Sequence, residues 1–312
     1  MNPGAVTSIW QRISARAVWS LCALVWLCVQ SFSAASAEEP LLQLLVEPQS
    51  VQLGGTNRVQ QLLITGIRDD GRSVDVTHRA QIESIDTAIA RVDEGVVTGV
   101  SDGQVLLRVS CDGQQTDVPV QVSHIAGYPP VDFANDMLPL FSKLGCNSGA
   151  CHGKSSHPSG LKLSVFGFDP AADFDALVKD GRGRRVFSGS PEFSLFLRKA
   201  TGAAPHGGGQ RLSPTSPDYD LMLAWVRQGT PAAQPDSPEL VKLIVSPADR
   251  VLDANAQQQI LAAAHYSDGT VRDVTSAAGY TSNAPLIAEV DRSGVVRTGL
   301  IPGEAAIAVH YM

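Results

Sequence analysis

The sequence predicts a multidomain protein in which two all-β sandwiches flank a small, mainly α segment. Three observations carry that expectation. Strand-like stretches recur in two copies, turn-forming residues are abundant, and between the copies Asp-Pro and Ser-Pro pairs precede helix-like stretches. The length of 312 residues accommodates two or three domains. Hydrophobic residues make up 44% and charged residues 18%, enough to build packed cores, which excludes a disordered chain. With 28 glycines, 19 prolines and only 6% aromatic residues, short strands and turns fit better than a large helical bundle.

Residues 1–37 read as an export signal that is removed. Arg12 and Arg16 precede an apolar run from Ala17 to Val29, and small residues end at Ala35-Ser36-Ala37. This is the order of a basic region, a short apolar region and an A-x-A cleavage site. The run is shorter than the roughly 20 residues that a bilayer-spanning helix needs, so cleavage before Glu38 is favoured over a membrane anchor. Leu27 before Cys28 argues against a lipid-anchored start. Losing Arg12 and Arg16 takes the formal net charge from −7 to −9, which excludes the basic footprint of a nucleic-acid binder. The expected location is therefore periplasmic, cell-surface or extracellular, with no membrane span left after cleavage.

The repeat becomes visible when the chain is compared with itself. Leu45-Val46-Glu47-Pro48, Asp70-Gly71, Asp75-Val76-Thr77, Ile89-Ala90-Arg91-Val92-Asp93 and Gly95-Val96-Val97 form the first set. Ile244-Val245-Ser246-Pro247, Asp268-Gly269, Asp273-Val274-Thr275, Ile287-Ala288-Glu289-Val290-Asp291 and Gly294-Val295-Val296 form the second. Each Asp-Gly pair is a hairpin-turn signal between strand-like runs, and strands at this spacing indicate a β-sandwich. The stretches Tyr266–Thr275 and Ile287–Val296 resemble the bacterial immunoglobulin-like domain, group 2, a family of extracytoplasmic spacer and adhesion modules. The resemblance covers about 41–123 and 240–312. Cys111 stands alone in the first copy and reads as a small core hydrophobe. The second copy stops at Met312 where a late strand is expected, so the chain is expected to be the front part of a longer protein.

Residues 128–233 differ in character. Asp169-Pro170, Ser190-Pro191 and Ser216-Pro217 place a capping residue before a proline at the first helical position. Tyr219, Met222, Leu223 and Val226 follow the spacing of one buried helix face, closing at Gly229. Phe133, Met137, Leu140, Phe141 and Leu144 predict another helix ending at Gly145.

Directly after that glycine comes Cys146-Asn147-Ser148-Gly149-Ala150-Cys151-His152. Two thiols followed by a histidine is the pattern of covalent haem c, here with two more residues between the cysteines than C-x-x-C-H. The residues alone leave three readings open: haem attachment, a Cys146–Cys151 disulfide, or another metal held with His152 and His157.

The stretch Gly145–Gly153, together with Ser159-Gly160-Leu161-Lys162-Leu163, Gly181–Val186, Ser194-Leu195-Phe196 and Leu223–Gly229, resembles the planctomycete-type cytochrome c domain. That resemblance implies one covalent haem c, with Cys146 and Cys151 as thioether attachments and His152 as the proximal iron ligand. It also places His206, in Pro205-His206-Gly207-Gly208-Gly209, where the family carries its distal methionine, so His206 is the candidate distal ligand. Arg184 and Arg185 are the candidate contacts to haem propionates, and Met222 and Trp225 read as core. His206-Gly207-Gly208-Gly209 does not mark an esterase, because no G-x-S-x-G elbow accompanies it.

The expected function is single-electron transfer by an exported haem c module held between spacer domains. Its expected partner is a redox protein or a missing C-terminal region, with cell-surface or polysaccharide contacts through the sandwiches. No nucleophile–base or paired-carboxylate constellation predicts an enzyme. The rival is a non-haem binding or scaffold protein in which Cys146 and Cys151 form a structural disulfide.

Overall fold

The computed structural model describes residues 40–55, 58–125, 130–154, 160–233 and 236–312. The expected export signal at 1–37 and His157 lie outside the described residues. No helix among the described residues is long and apolar enough to cross a membrane.

The first copy runs through β1 (Leu41–Glu47), β2 (Val51–Gly54), β3 (Val59–Gln61), β4 (Leu63–Arg68), β5 (Ser73–Asp75), β6 (Gln81–Ser84), β7 (Ala90–Asp93), β8 (Val96–Gly99), β9 (Gly103–Cys111) and β10 (Gln114–Ser123). They form three sheets, in the orders β1-β4-β5, β2-β10-β9-β6 and β3-β8-β7. Period-two alternation turns Val105, Leu107, Val109 and Cys111 of β9 inward, as a half-buried strand requires. They meet Val118, Val120 and Val122 of β10 in one core. All pairings are antiparallel except β2 with β10, which is parallel, with Val51 opposite Val120.

The second copy, farther along the chain, repeats this with β11 (Leu240–Ser246), β12 (Gln257–Gln259), β13 (Leu261–Tyr266), β14 (Val271–Asp273), β15 (Gly279–Ser282), β16 (Ala288–Val290), β17 (Val295–Thr298) and β18 (Ile307–His310). The sheet orders are β11-β13-β14, β12-β17-β16 and β15-β18. Its core divides into two clusters, one around Ala262, Ala264 and Tyr266 and one around Ile260, Ala288 and Val296.

The Asp-Val-Thr motif has the same local role in both copies. Asp75 Oδ1 accepts from Thr77 N at 2.7 Å and Asp273 Oδ1 from Thr275 N at 2.8 Å. The threonine hydroxyls in turn accept from the backbone N–H of Ile64 and Ala262, both at 2.9 Å. Both threonines are buried, so removing the hydroxyl strands a buried donor. Thr77→Val is expected to cost about 1–2 kcal/mol, and Thr275→Val a similar amount. Equal shifts in the urea midpoint of the two variants would check the equivalence.

The middle segment has α1 (Leu138–Lys143), α2 (Pro170–Phe174), α3 (Leu195–Ala200) and α4 (Pro217–Arg227), joined by single wide or tight helical turns. Side-chain caps match the sequence signals at two starts. Ser216 Oγ accepts from Tyr219 N at 3.2 Å and Asp169 Oδ1 from Ala172 N at 3.0 Å. Only α4 exceeds two turns. Left-handed backbone follows each of the others, at Gly145 after α1, at Gly181, Arg182 and Gly183 after the wide turn that extends α2, and at Gly202 after α3.

The expected fold class is therefore corrected. Two immunoglobulin-like sandwiches flanking a small mainly α cytochrome c-like domain are not what the chain forms. It is mostly β, in several small sheets, and the stretch between the copies holds only short helices and single helical turns joined by loops. Apolar spacing predicted where helices begin, but the dense glycines stop them within a turn or two, since a left-handed residue cannot continue an α-helix.

The copies touch each other and the middle segment. Strand β12 lies against β5, and β14 against β3. Asp136, in the wide turn before α1, accepts from Arg58 Nη2 at 3.0 Å and from Arg272 Nη1 at 3.4 Å. Asn135 Nδ2 donates to Pro238 O at 2.9 Å.

Candidate functional site

The cysteine loop begins where α1 ends. Gly145 takes a left-handed conformation with φ of 72°, and Cys146 N donates back to Phe141 O at 2.8 Å. The loop then folds over itself. Cys151 N donates to Ser148 O and His152 N to Cys146 O, both at 2.9 Å, and Gly153 N donates to Ser148 O at 3.0 Å. A Cβ on Gly153 would sit 2.5 Å from Asn147 O and 2.8 Å from Ser148 O, so this turn admits only glycine. Asn147 is buried beneath the loop, with its Nδ2 on Ser142 Oγ at 2.9 Å and its Oδ1 without a hydrogen-bond partner.

This folding brings the two cysteines into electrostatic contact, both as free thiols. Cys146 packs against the core formed by Phe141, Leu163 and Trp225. Burial, with the nearby Cys151 adding to it, pushes the Cys146 thiol up to about 11, against a smaller opposing effect of Arg211. Such a thiol is protonated at neutral pH and is a poor nucleophile. In the reduced protein at pH 8, Cys146 is therefore expected to react with iodoacetamide about a hundredfold more slowly than an ordinary thiol. Mass-resolved labelling of the two cysteines checks this, and an equally fast Cys146 would contradict it.

The loop carrying His206 lies over the same region. Its carbonyls are used locally: Lys199 Nζ donates to Pro205 O at 3.0 Å and Arg211 Nε to Gly208 O at 2.8 Å. His152 and His206, far apart in sequence, have their rings 6.3 Å apart between centroids and 11° from parallel. His152 Nδ1 donates to Leu161 O at 3.1 Å and His206 Nδ1 to Gly209 O at 2.8 Å.

The remaining candidates divide. Arg184 is exposed, whereas Arg185 is buried. Arg185 donates to the carbonyls of Ala176 and Asp180, both at 2.8 Å, and of Gly160 at 3.0 Å. Met222 lies in the core beside Trp225. Asp75 and Asp273, which join the two copies, were read from the sequence only as repeat landmarks, and their recurrence in both copies was the available signal.

The expected haem c, with its iron-binding, metal-binding and electron-transfer roles, is corrected on this geometry. Among the described residues, no three His, Cys, Asp or Glu side chains form a group that could hold a metal ion. The motif places two thiols and an imidazole within reach along the chain, but the Cys146 thiol, expected to form a thioether, packs against the protein's own core instead.

No family model matches the chain. It is 24% identical over 261 residues to Ice-binding protein 1 of Shewanella frigidimarina (strain NCIMB 400), a match covering 82% of this chain and 26% of that protein. The chain thus spans about a quarter of the length of that curated relative. Among solved structures, domains 5-6 of the S-layer protein SbsC match at 13% identity with a TM-score of 0.31, covering 87% of this chain and 91% of that one. The S-layer protein rSbsC(31-844) matches at 20% identity with a TM-score of 0.26, covering 31% and 15%.

Proposed function

We propose that this chain is an exported, non-catalytic scaffold that presents its middle segment as a binding face, with Cys146 and Cys151 joined in a disulfide. The observation that carries this reading is the way both copies grip that segment. One carboxylate, Asp136, accepts from Arg58 of the first copy and Arg272 of the second. A segment held on two sides is a fixed platform, and the exposed phenylalanines among the described residues all lie on it. Phe166, Phe168, Phe187 and Phe193 leave 53%, 90%, 56% and 64% of their surface exposed. Aromatic residues are enriched where proteins bind partners, and phenyl faces suit the C–H faces of sugar rings, so the partner we propose is a cell-surface polysaccharide. A relative whose name describes binding is in keeping with this reading. The shared stretch is too small a part of that protein to carry its ligand across.

The disulfide follows from two neighbouring thiols in an exported chain. Both give up their protons, the S–S bond forms, and the two electrons reduce a disulfide oxidant of the exporting compartment to its dithiol. The chain secreted without residues 1–37 is expected to be two hydrogens lighter than its reduced form and to sediment with an insoluble polysaccharide. Replacing Phe168 and Phe193 by Ala is expected to weaken that binding about tenfold or more. A mass gain of one covalent haem would overturn the disulfide. A chain that stays in the supernatant with cellulose, chitin and peptidoglycan alike would overturn the binding reading.

A further inference from the structure

The repeat landmarks Asp75 and Asp273 do more than stabilise their own turns. Each carboxylate is divided between two tasks. Oδ1 holds the Thr amide of its own copy, and Oδ2 accepts a backbone N–H from the other copy. Asp75 Oδ2 accepts from Gln259 N, and Asp273 Oδ2 from Gln61 N. The residues correspond one to one: Gln61 ends β3, Gln259 ends β12, Asp75 ends β5 and Asp273 ends β14. The contact is therefore reciprocal. Each copy offers one carboxylate and one amide and receives the same in return, which is the signature of an isologous, two-fold interface.

All four strands are sheet edges. β3 and β5 are terminal strands of their sheets in the first copy, and β12 and β14 hold the same places in the second. An edge strand carries unpaired backbone groups that invite pairing with another chain. Here each edge is covered by its counterpart, with β12 on β5 and β14 on β3. The paired glutamines reinforce the match. Gln60 Nε2 donates to Gln61 O and Gln258 Nε2 to Gln259 O, both at 2.9 Å, so each interface strand is stiffened identically.

We propose that the edge made by β3 and β5, or by β12 and β14, is a self-recognition surface whose partner is another copy of the same module. Within one chain the second repeat supplies that copy, and once the clasp opens a second chain supplies it. The surfaces are self-complementary, so exchange between chains creates no new contact and loses none. Only the tether favours the closed monomer. This surface does not depend on what the middle segment binds.

The test uses the whole chain. It is opened in urea just below global unfolding and returned to buffer at low and at about millimolar concentration, the effective concentration a tether can supply. A monomer is expected at low concentration, with the dimer fraction rising about tenfold at high concentration, as that competition requires. The Gln61 and Gln259 amides should exchange slowly in both forms.

The decisive variant is D75N/D273N. Each Asn keeps an oxygen for the Thr amide of its own turn but sets an NH2 against the glutamine N–H. The closed and the exchanged clasp should both give way to open chains, so its dimer fraction should stay at the low-concentration level. Its Gln61 and Gln259 amides should exchange about tenfold faster, the loss of one hydrogen bond. The Ile64 and Ala262 amides, held by Thr77 and Thr275, should keep their protection and show that the modules remain folded. If the double variant does not fold, D75N alone should accelerate Gln259 and leave Gln61 slow. A wild-type chain that stays monomeric at every concentration, or a D75N/D273N chain that dimerises as well as wild type, would overturn the proposal.

Discussion

Trp225→Ala is expected to destabilise the middle segment by about 4 kcal/mol, the size typical of truncating a fully buried aromatic. Trp225 has no exposed surface. Its ring packs against Phe133, Phe174 and Phe196, with centroids 5.5, 6.5 and 6.1 Å away. Its Nε1–H donates to Pro231 O at 2.8 Å, which ties α4 to the chain beyond it. The truncation would open a cavity among three other aromatics and leave that carbonyl without its donor. Trp225→Phe keeps most of the packing and loses only the hydrogen bond, so it should cost about 1–2 kcal/mol. Limited proteolysis within 130–233, followed by circular dichroism melting, measures both. A Trp225→Ala chain as protease-resistant as wild type would show that the segment is held by the two copies and not by its own core.

Arg185→Met is the second large effect, expected at about 3 kcal/mol. The guanidinium is buried, and its donors are spread over three carbonyls from three separate turns, at Gly160, Ala176 and Asp180. Met fills a similar volume but donates nothing, so three carbonyls, that of buried Ala176 among them, lose their partner at once. Arg185→Lys should recover little, because a single ammonium cannot span the fork that Arg provides. Trp225 supplies the readout. The other three tryptophans, Trp10, Trp19 and Trp26, lie within residues 1–37, so in a chain starting at Glu38 the urea dependence of its fluorescence reports on this segment alone. A variant that unfolds at the wild-type midpoint would mean that water replaces the guanidinium at those carbonyls.

The signals read most directly from the sequence were local. Asp70-Gly71 and Asp268-Gly269 predicted hairpins, and the chain turns there between β4 and β5 and between β13 and β14, with both glycines at positive φ. Ser216-Pro217 and Gly229 marked the ends of α4 to within two residues. A turn or a helix cap depends on the conformational preferences of three or four neighbours, and those are written in sequence order. The cysteine loop was the point where such reading overreached. The spacing of Cys146, Cys151 and His152 says what lies within reach, but the packing of Cys146 against the core that holds Phe141 was decided by the fold.

The sequence by itself determined that the chain carries two copies of one β module, where their turns fall, and that a different, glycine-cut segment lies between them. Tertiary structure alone decided what the repeated residues are for. Asp75 reaches Gln259 across 184 positions and Asp273 reaches Gln61 across 212, and Arg185 gathers carbonyls from turns that no spacing rule relates. Such contacts require edge strands and turns already placed in three dimensions. An unpaired backbone donor or acceptor is satisfied by whichever group packing brings to it, and the order of residues along the chain does not specify that group.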